Sequence, residues 1–142
     1  MIYSVGDSSA ETGSQKLPRL LYIADVPVVD TNGGAQLLSR LLRNYPPSRL
    51  RVFAPRSPGG ELVGVAYGSF RFGWPRLMYT RFAGLFWRYL FFRARFPVLV
   101  LERTIREFRP QAILTVAQTI SWISAWNLAR RHQLPLHLIV HD

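Results

Sequence analysis

Leu20-Leu21-Tyr22-Ile23-Ala24, then Asp25-Val26-Pro27-Val28-Val29-Asp30-Thr31-Asn32-Gly33-Gly34, then Ala35-Gln36-Leu37-Leu38-Ser39-Arg40-Leu41-Leu42 decide the reading of this chain. The five apolar residues show no polar alternation, which predicts a strand covered on both faces, as in a parallel sheet. Ala35, Leu38, Leu41, Leu42 and Tyr45 recur at near-helical spacing and predict a helix buried along that stripe. Between strand and helix lies a loop ending in Gly33 and Gly34. Glycine tolerates positive φ and close approach of backbone to a ligand, and a helix start offers unpaired N–H groups, so this loop could face a phosphate. Neither G-x-G-x-x-G nor G-x-x-x-x-G-K-[ST] is present, and a tight turn is the other reading of the pair.

Outward from this unit, Pro46-Pro47 ends the helix, Arg49–Ala54 reads as a second strand, and Pro55, Pro58, Gly59 and Gly60 mark a loop. Residues 61–75 contain either a short strand at Leu62–Tyr67 or irregular structure. Pro97 can open a helix whose buried stripe is Val98, Leu101, Ile105 and Phe108, stopped by Arg109-Pro110. Gln111–Val116 reads as a strand, Ile120–His132 as a helix with Trp122 and Trp126 on one face, and Leu136–Val140 as a strand. The predicted class is therefore α/β: a Rossmann-like, mostly parallel sheet with helices on both faces. In such sheets ligands bind beyond the carboxyl ends of the strands, which directs attention to Asp25, Asp30, the glycine pair and His141-Asp142. Loop aspartates more often make turn hydrogen bonds, and Arg130, Arg131 and His132 suit the negative end of a helix dipole. His132 and His137 read as structural, and no His/Asp/Glu cluster has metal-ligand spacing.

The chain has 142 residues, 49% of them hydrophobic, enough for one domain with a real core. Met1–Lys16 is polar and reads as a flexible lead-in to a domain over 17–142; it lacks the apolar centre of a secretion signal. Absence of cysteine excludes disulfides, a thiolate nucleophile and cysteine-held metal, and makes the cytoplasm the default location. Eighteen Lys+Arg against eight Asp+Glu give a net charge of +10, and Lys16 is the sole lysine. That surplus favours phosphate-bearing partners: anionic lipid, nucleic acid, or nucleotide and lipid diphosphates. The uncharged run Pro110–Ala129 approaches the ~20 residues of a membrane span, but its Gln, Thr, Ser and Asn content makes it a strand plus a helix.

Arg76–Phe96 is rich in aromatic and aliphatic residues interrupted by Arg81, Arg88, Arg93 and Arg95. On one continuous helix the seven-residue spacing would place Arg81, Arg88 and Arg95 in a single stripe. Two readings stand. The segment is a buried helix with its arginines snorkelling outward, or a membrane surface in which aromatics such as Trp87 enter the lipid interface and the arginines meet anionic headgroups. A nucleic-acid surface fits less well, because no single-strand-binding pattern accompanies the arginines.

Taken together, the chain resembles the N-terminal domain of GT-B glycosyltransferases, specifically the family 4 group of retaining nucleotide-sugar enzymes. Three stretches carry the resemblance: Gly33-Gly34-Ala35-Gln36 with Leu41 after the first strand, Phe108-Arg109-Pro110-Gln111-Ala112-Ile113-Leu114 leading into a strand, and Ala129–Asp142 with its Leu134-Pro135 and Val140-His141-Asp142. Gln36 stands where the family commonly has glutamate. The resemblance implies half of a GT-B fold: an acceptor-side domain truncated before a second Rossmann-like domain that holds the donor with a basic pair and a Glu-x7-Glu motif. It implies that Gly33 and Gly34 approach the donor diphosphate, that His141 lies near the transferring sugar, and that Asp25 and Asp30 are candidates to orient an acceptor hydroxyl. It implies no cofactor beyond the nucleoside diphosphate sugar as co-substrate, with a glycan or lipid-linked acceptor as partner. Peripheral contact with the cytoplasmic membrane face would suit Arg81, Trp87, Arg88 and Arg95. Without the second domain this chain should not transfer sugar. The alternative is a non-enzymatic basic-aromatic membrane-surface module.

Overall fold

The computed structural model describes residues 17–28, 33–54, 62–69, 79–118 and 120–140, with the side chains of 33–35 excepted. Its elements are β1 (Leu20–Ile23), α1 (Gly33–Arg43), β2 (Leu50–Phe53), β3 (Ala66–Gly68), α2 (Ala83–Arg93), α3 (Leu99–Phe108), β4 (Ala112–Val116), α4 (Ser121–His132) and β5 (Leu136–Ile139). The strands form a five-stranded sheet in the order β3-β2-β1-β4-β5, every neighbouring pair parallel. Tyr22 stands opposite Val52 on one side and Leu114 on the other, so β1 is the central strand. The expected Rossmann-like α/β architecture is the one observed.

The absence of alternation in β1 has its cause in two separate cores. Tyr22 and Ala24 pack with Leu38 and Leu42 of α1 and with Leu50, Val52 and Leu114. Leu21 and Ile23 turn the other way, to Leu101 and Ile105 of α3 and Ala125 and Leu128 of α4. Successive side chains of a strand point to opposite faces, so a strand with helices on both sides must be apolar throughout. β4 obeys the same rule, buried at all five positions.

Several boundaries differ from the sequence expectation. α1 begins at Gly33, so the two glycines form its first turn instead of closing the loop ahead of it; residues 29–32 lie outside the described residues. Its buried line runs through Leu38, Ser39 and Leu42, leaving Leu41, turned about 100° from Leu42, 58% exposed. In the 61–75 stretch the strand is Ala66–Gly68, the third from sequence yet an edge of the sheet. The single helix expected over Arg76–Phe96 is shorter: α2 covers Ala83–Arg93, with residues 76–78 outside the described residues. Arg81 therefore precedes the helix and Arg95 follows it, and the three arginines do not share one helical stripe. α3 buries Leu101, Ile105 and Phe108 as expected, and Arg109 takes a left-handed conformation that closes it before Pro110.

The end of α4 is tied to α3 by ions and not by dipole alone. Glu102, its side chain 12% exposed, accepts from Arg131 Nη1 and pairs with His132 Nε2 at 2.7 Å, while Arg130 lies over the Trp126 ring. Burial raises the pKa of Glu102, but hydrogen bonds from His132 and Arg131 outweigh it and hold the carboxyl below its ordinary 4.5. A lowered carboxyl contributes stability that is complete above its unfolded value and lost as pH falls through the folded one. Glu102→Gln is expected to cost about 1 kcal/mol at neutral pH, discounted for the exposed Arg131. The difference should shrink below pH 4.5. Urea unfolding of both proteins across that range measures it; a difference independent of pH would contradict the pairing.

Candidate functional site

From β1 the chain passes through α1 to β2 on one side of the sheet, and from β4 through α4 to β5 on the other. The crevice between β1 and β4 at their carboxyl ends is thus the topological switch point, where open α/β sheets bind ligands. Two helix N-termini open there, those of α1 and α4.

The α1 terminus presents the backbone of Gly33 and Gly34 in its first turn, which contains no acidic residue. Backbone N–H groups of a helix start carry partial positive charge and lack intrahelical partners, so this terminus can receive an anion. The α4 terminus is engaged from within the protein. Ile120 occupies its N-cap position and offers no side-chain cap. Asp25, from the end of β1, instead accepts the Ser121 N–H through Oδ2 at 3.1 Å, across 96 positions of sequence. A carboxylate at a helix start is stabilised by both the hydrogen bond and the dipole.

Tyr22 supports this edge from beneath: its hydroxyl donates to the Val26 carbonyl at 3.1 Å, fixing the path of the loop that carries Asp25. Burial, with a smaller contribution from the Asp25 charge, pushes the Tyr22 phenol well above its ordinary range. Ala24 N–H donates to Phe53 O and Ala117 N–H to Ile139 O, so neighbouring strand ends are tied together around the crevice. Two buried hydroxyls at the same edge, Thr115 Oγ1 and Ser121 Oγ, have no hydrogen-bond partner among the described residues. They were not singled out from sequence, where a serine or threonine in an apolar run carries no mark of its burial.

Of the residues selected from sequence, Gly33 and Gly34 open the helix that follows β1, and Asp25, just beyond the end of β1, caps α4. Asp30 and His141 lie outside the described residues. Asp25 was expected to orient an acceptor; its observed contact is a helix cap. Asp25→Ala is expected to destabilise by about 1–2 kcal/mol and Asp25→Asn by less, since an amide oxygen still accepts. Chemical denaturation of the pair tests this, and equal losses would show that the carboxylate is not capping α4.

The arginine-aromatic region forms a separate surface. α2 buries only Phe86 and Leu90, which pack with Ile120 at the head of α4, while Trp87 and Ile123 flank them half-buried. Ser124 Oγ and Asn127 Nδ2 both donate to Ala94 O, at 3.2 and 3.3 Å, pinning the end of α2 to α4. Trp87, expected to be lipid-facing, is instead partly engaged in this packing, tilted against Phe91. Arg81, Arg88 and Arg95 are exposed, Arg81 lying over the Phe82 ring. The buried-helix reading of this segment does not hold for its outer side.

Among the described residues no group of three or more His, Asp or Glu is placed to hold a metal ion, and no helix is long and apolar enough to cross a membrane. Compared with protein families, with curated proteins and with solved structures, the chain matched none.

Proposed function

We propose that the chain is the acceptor-side, N-terminal half of a retaining GT-B glycosyltransferase that uses a nucleoside diphosphate sugar. The observation supporting this reading is the opening of α1 on Gly33-Gly34 at the β1/β4 switch point, the place where a donor diphosphate would meet unpaired backbone N–H groups. In the reaction the bond from the anomeric carbon to the diphosphate oxygen breaks, and its electron pair leaves with the nucleoside diphosphate. The acceptor oxygen bonds the same carbon, and its proton passes to the released diphosphate. The α1 N-terminus stabilises the charge that develops on the leaving group. His141 and Asp30, which lie outside the described residues, are proposed to act on the transferring sugar and on the acceptor hydroxyl respectively, with the donor held mainly by a second α/β domain.

The reading frame after the Asp142 codon, or a partner chain, should accordingly encode that domain with a Glu-x7-Glu stretch and a nearby Arg/Lys pair. The complete protein should release nucleoside diphosphate from a nucleotide sugar in the presence of a hydroxyl acceptor. No such domain, or no turnover with any of the common nucleotide sugars, would overturn the proposal. A second reading, a non-enzymatic module that sits on anionic membrane, is favoured by one observation: the stretch between Glu61 and Glu102 contains arginines and no acidic residue. The turnover measurement separates the two.

A further inference from the structure

The two edges of the sheet are not alike. β3, at one edge, has only the three residues Ala66–Gly68, and a very short edge strand offers little for another chain to pair with. β5 forms the other edge. Charged residues and prolines are what keep edge strands from pairing, and Leu136-His137-Leu138-Ile139-Val140 contains neither Lys, Arg, Asp, Glu nor Pro. The ladder to β4 fixes which of its backbone groups are free. Ile113 N–H donates to Pro135 O and Ala117 N–H to Ile139 O, so Pro135, His137 and Ile139 turn their backbone polar groups toward β4. Leu136 and Leu138 therefore turn theirs outward, where no strand pairs with them among the described residues. Leu138 is 46% exposed and Val140, one residue past the strand, 69%.

α4 adds an apolar wall to this edge. Its Ala125, Leu128 and Ala129 pack on the sheet, while Ser124, Asn127 and Arg131 turn to Ala94 and to Glu102 of α3. α3 itself packs on Leu21 and Ile23 of β1 and Phe53 of β2, away from β5. At about 100° per residue, Trp122, Trp126 and Arg130 fall on the opposite flank of α4, the one beside the open edge. Trp126 is 45% exposed, with the Arg130 guanidinium 5.5 Å from its ring centroid. Tryptophan and arginine are the residue types most enriched at the energetic centres of interfaces.

An open strand edge is complemented by another strand, and this one is complementary to itself. We propose that β5 pairs antiparallel with β5 of a second copy of this chain about a two-fold axis at Leu138, joining the two sheets. Leu138 N–H then donates to the partner's Leu138 O and receives the reciprocal bond, Leu136 faces the partner's Val140, and His137 faces the partner's Ile139. The side chains of Leu136, Leu138 and their counterparts share the α4 side of the joined sheet. With strands about 4.8 Å apart, the two α4 axes stand roughly 10–14 Å apart. That is wider than direct helix contact at about 8–10 Å, and tryptophan side chains fill the difference. The two helices run antiparallel, so Arg130 comes toward the partner's Trp122, and an indole face accepts a cation. The paired strands are uncharged, but the net charge of +10 on each copy repels at longer range. Salt should therefore strengthen this association, whereas it would weaken binding to an acidic partner. The pairing does not depend on the transferase reading.

The test uses the protein from its complete reading frame. Sedimentation equilibrium at about 1–100 µM should give the mass of two chains, with a Kd that falls as salt rises. Leu138→Lys sets two like charges face to face and should raise Kd about 100-fold. Leu138→Pro removes the outward N–H and no bond to β4, and should also raise Kd, while Leu41→Lys, on α1 across the sheet, should not. Circular dichroism checks that each variant is folded. Mild oxidation of Leu138→Cys should yield a disulfide joining two copies of the β5 peptide, identified by mass spectrometry. A protein that stays monomeric throughout this range overturns the proposal. So does a dimer indifferent to both Leu138 substitutions, or one in which Leu138→Cys forms no such disulfide. A monomer whose Leu138 N–H is protected from hydrogen exchange, or one that binds extended peptides at β5, assigns the edge to a different strand and overturns the second copy as its occupant.

Discussion

Tyr22→Ala is expected to remove about 3–5 kcal/mol of stability, the cost of deleting a buried aromatic side chain and leaving a cavity. Tyr22 is the largest of the fully buried side chains, it lies on the central strand, and it joins α1 to the sheet through Leu38 and Leu42. Its hydroxyl also holds the Val26 carbonyl, so the loop that carries Asp25 to α4 loses its anchor. Against a total of about 5–15 kcal/mol for a domain, such a loss brings the chain close to unfolding at ambient temperature. Urea denaturation measures it, and a loss below about 1.5 kcal/mol would contradict the central place given to this residue. Tyr22→Phe separates the ring from the hydroxyl and should cost about 1 kcal/mol. The phenol also sets an alkaline limit. Because its pKa is raised when folded, the unfolded chain alone ionises above the ordinary 10.0, and stability falls as pH climbs past that value. Tyr22→Phe should reduce that alkaline loss.

The second large effect concerns chemistry. Gly34→Val in the complete protein is expected to lower nucleoside diphosphate release by about 100-fold or more, the scale of losing preorganised donors to a leaving group. Gly34 is in the first turn of α1 at the switch point, and the proposed function has a diphosphate approach the backbone of that turn, an approach that glycine permits and a branched residue hinders. Valine has a better helix propensity than glycine, so the helix itself should not be weakened. Steady-state turnover combined with thermal unfolding distinguishes a blocked anion site from a damaged fold. Full activity in a stable Gly34→Val protein would remove the anion role from the glycine pair and with it the main support for the proposed function.

These two residues also mark what could be read before folding. The apolar character of β1 and β4 announced strands covered on both faces, because that demand is written into every position of the strand. The stripe of α3 was legible for a similar reason, since Leu101, Ile105 and Phe108 must all face the sheet. α1 was legible only in part: Leu41 fits the period as well as Leu38 does, and the angle at which the helix meets the sheet decided which of them is buried. In Arg76–Phe96 apolar residues occur all round the helix expected from the sequence, so no periodicity could fix its ends or its buried side.

The site divides in the same way. Gly33-Gly34 and the clustering of arginines with aromatics are local features, and the sequence by itself determined that a glycine pair lies between the first strand and the helix after it and that Arg76–Phe96 is basic, apolar and free of acidic residues. It determined the α/β class as well, through apolar runs and helical stripes in alternation. Only the tertiary structure decided that Asp25 caps a helix 96 positions away, that Glu102 gathers Arg131 and His132, and that α2 rests its thin buried edge on Ile120 beside the crevice. The physical reason is the range of each interaction. Periodicity and propensity act over a few residues and are written in each segment, whereas a carboxylate chooses its partner only after the parallel sheet has brought distant strand ends side by side.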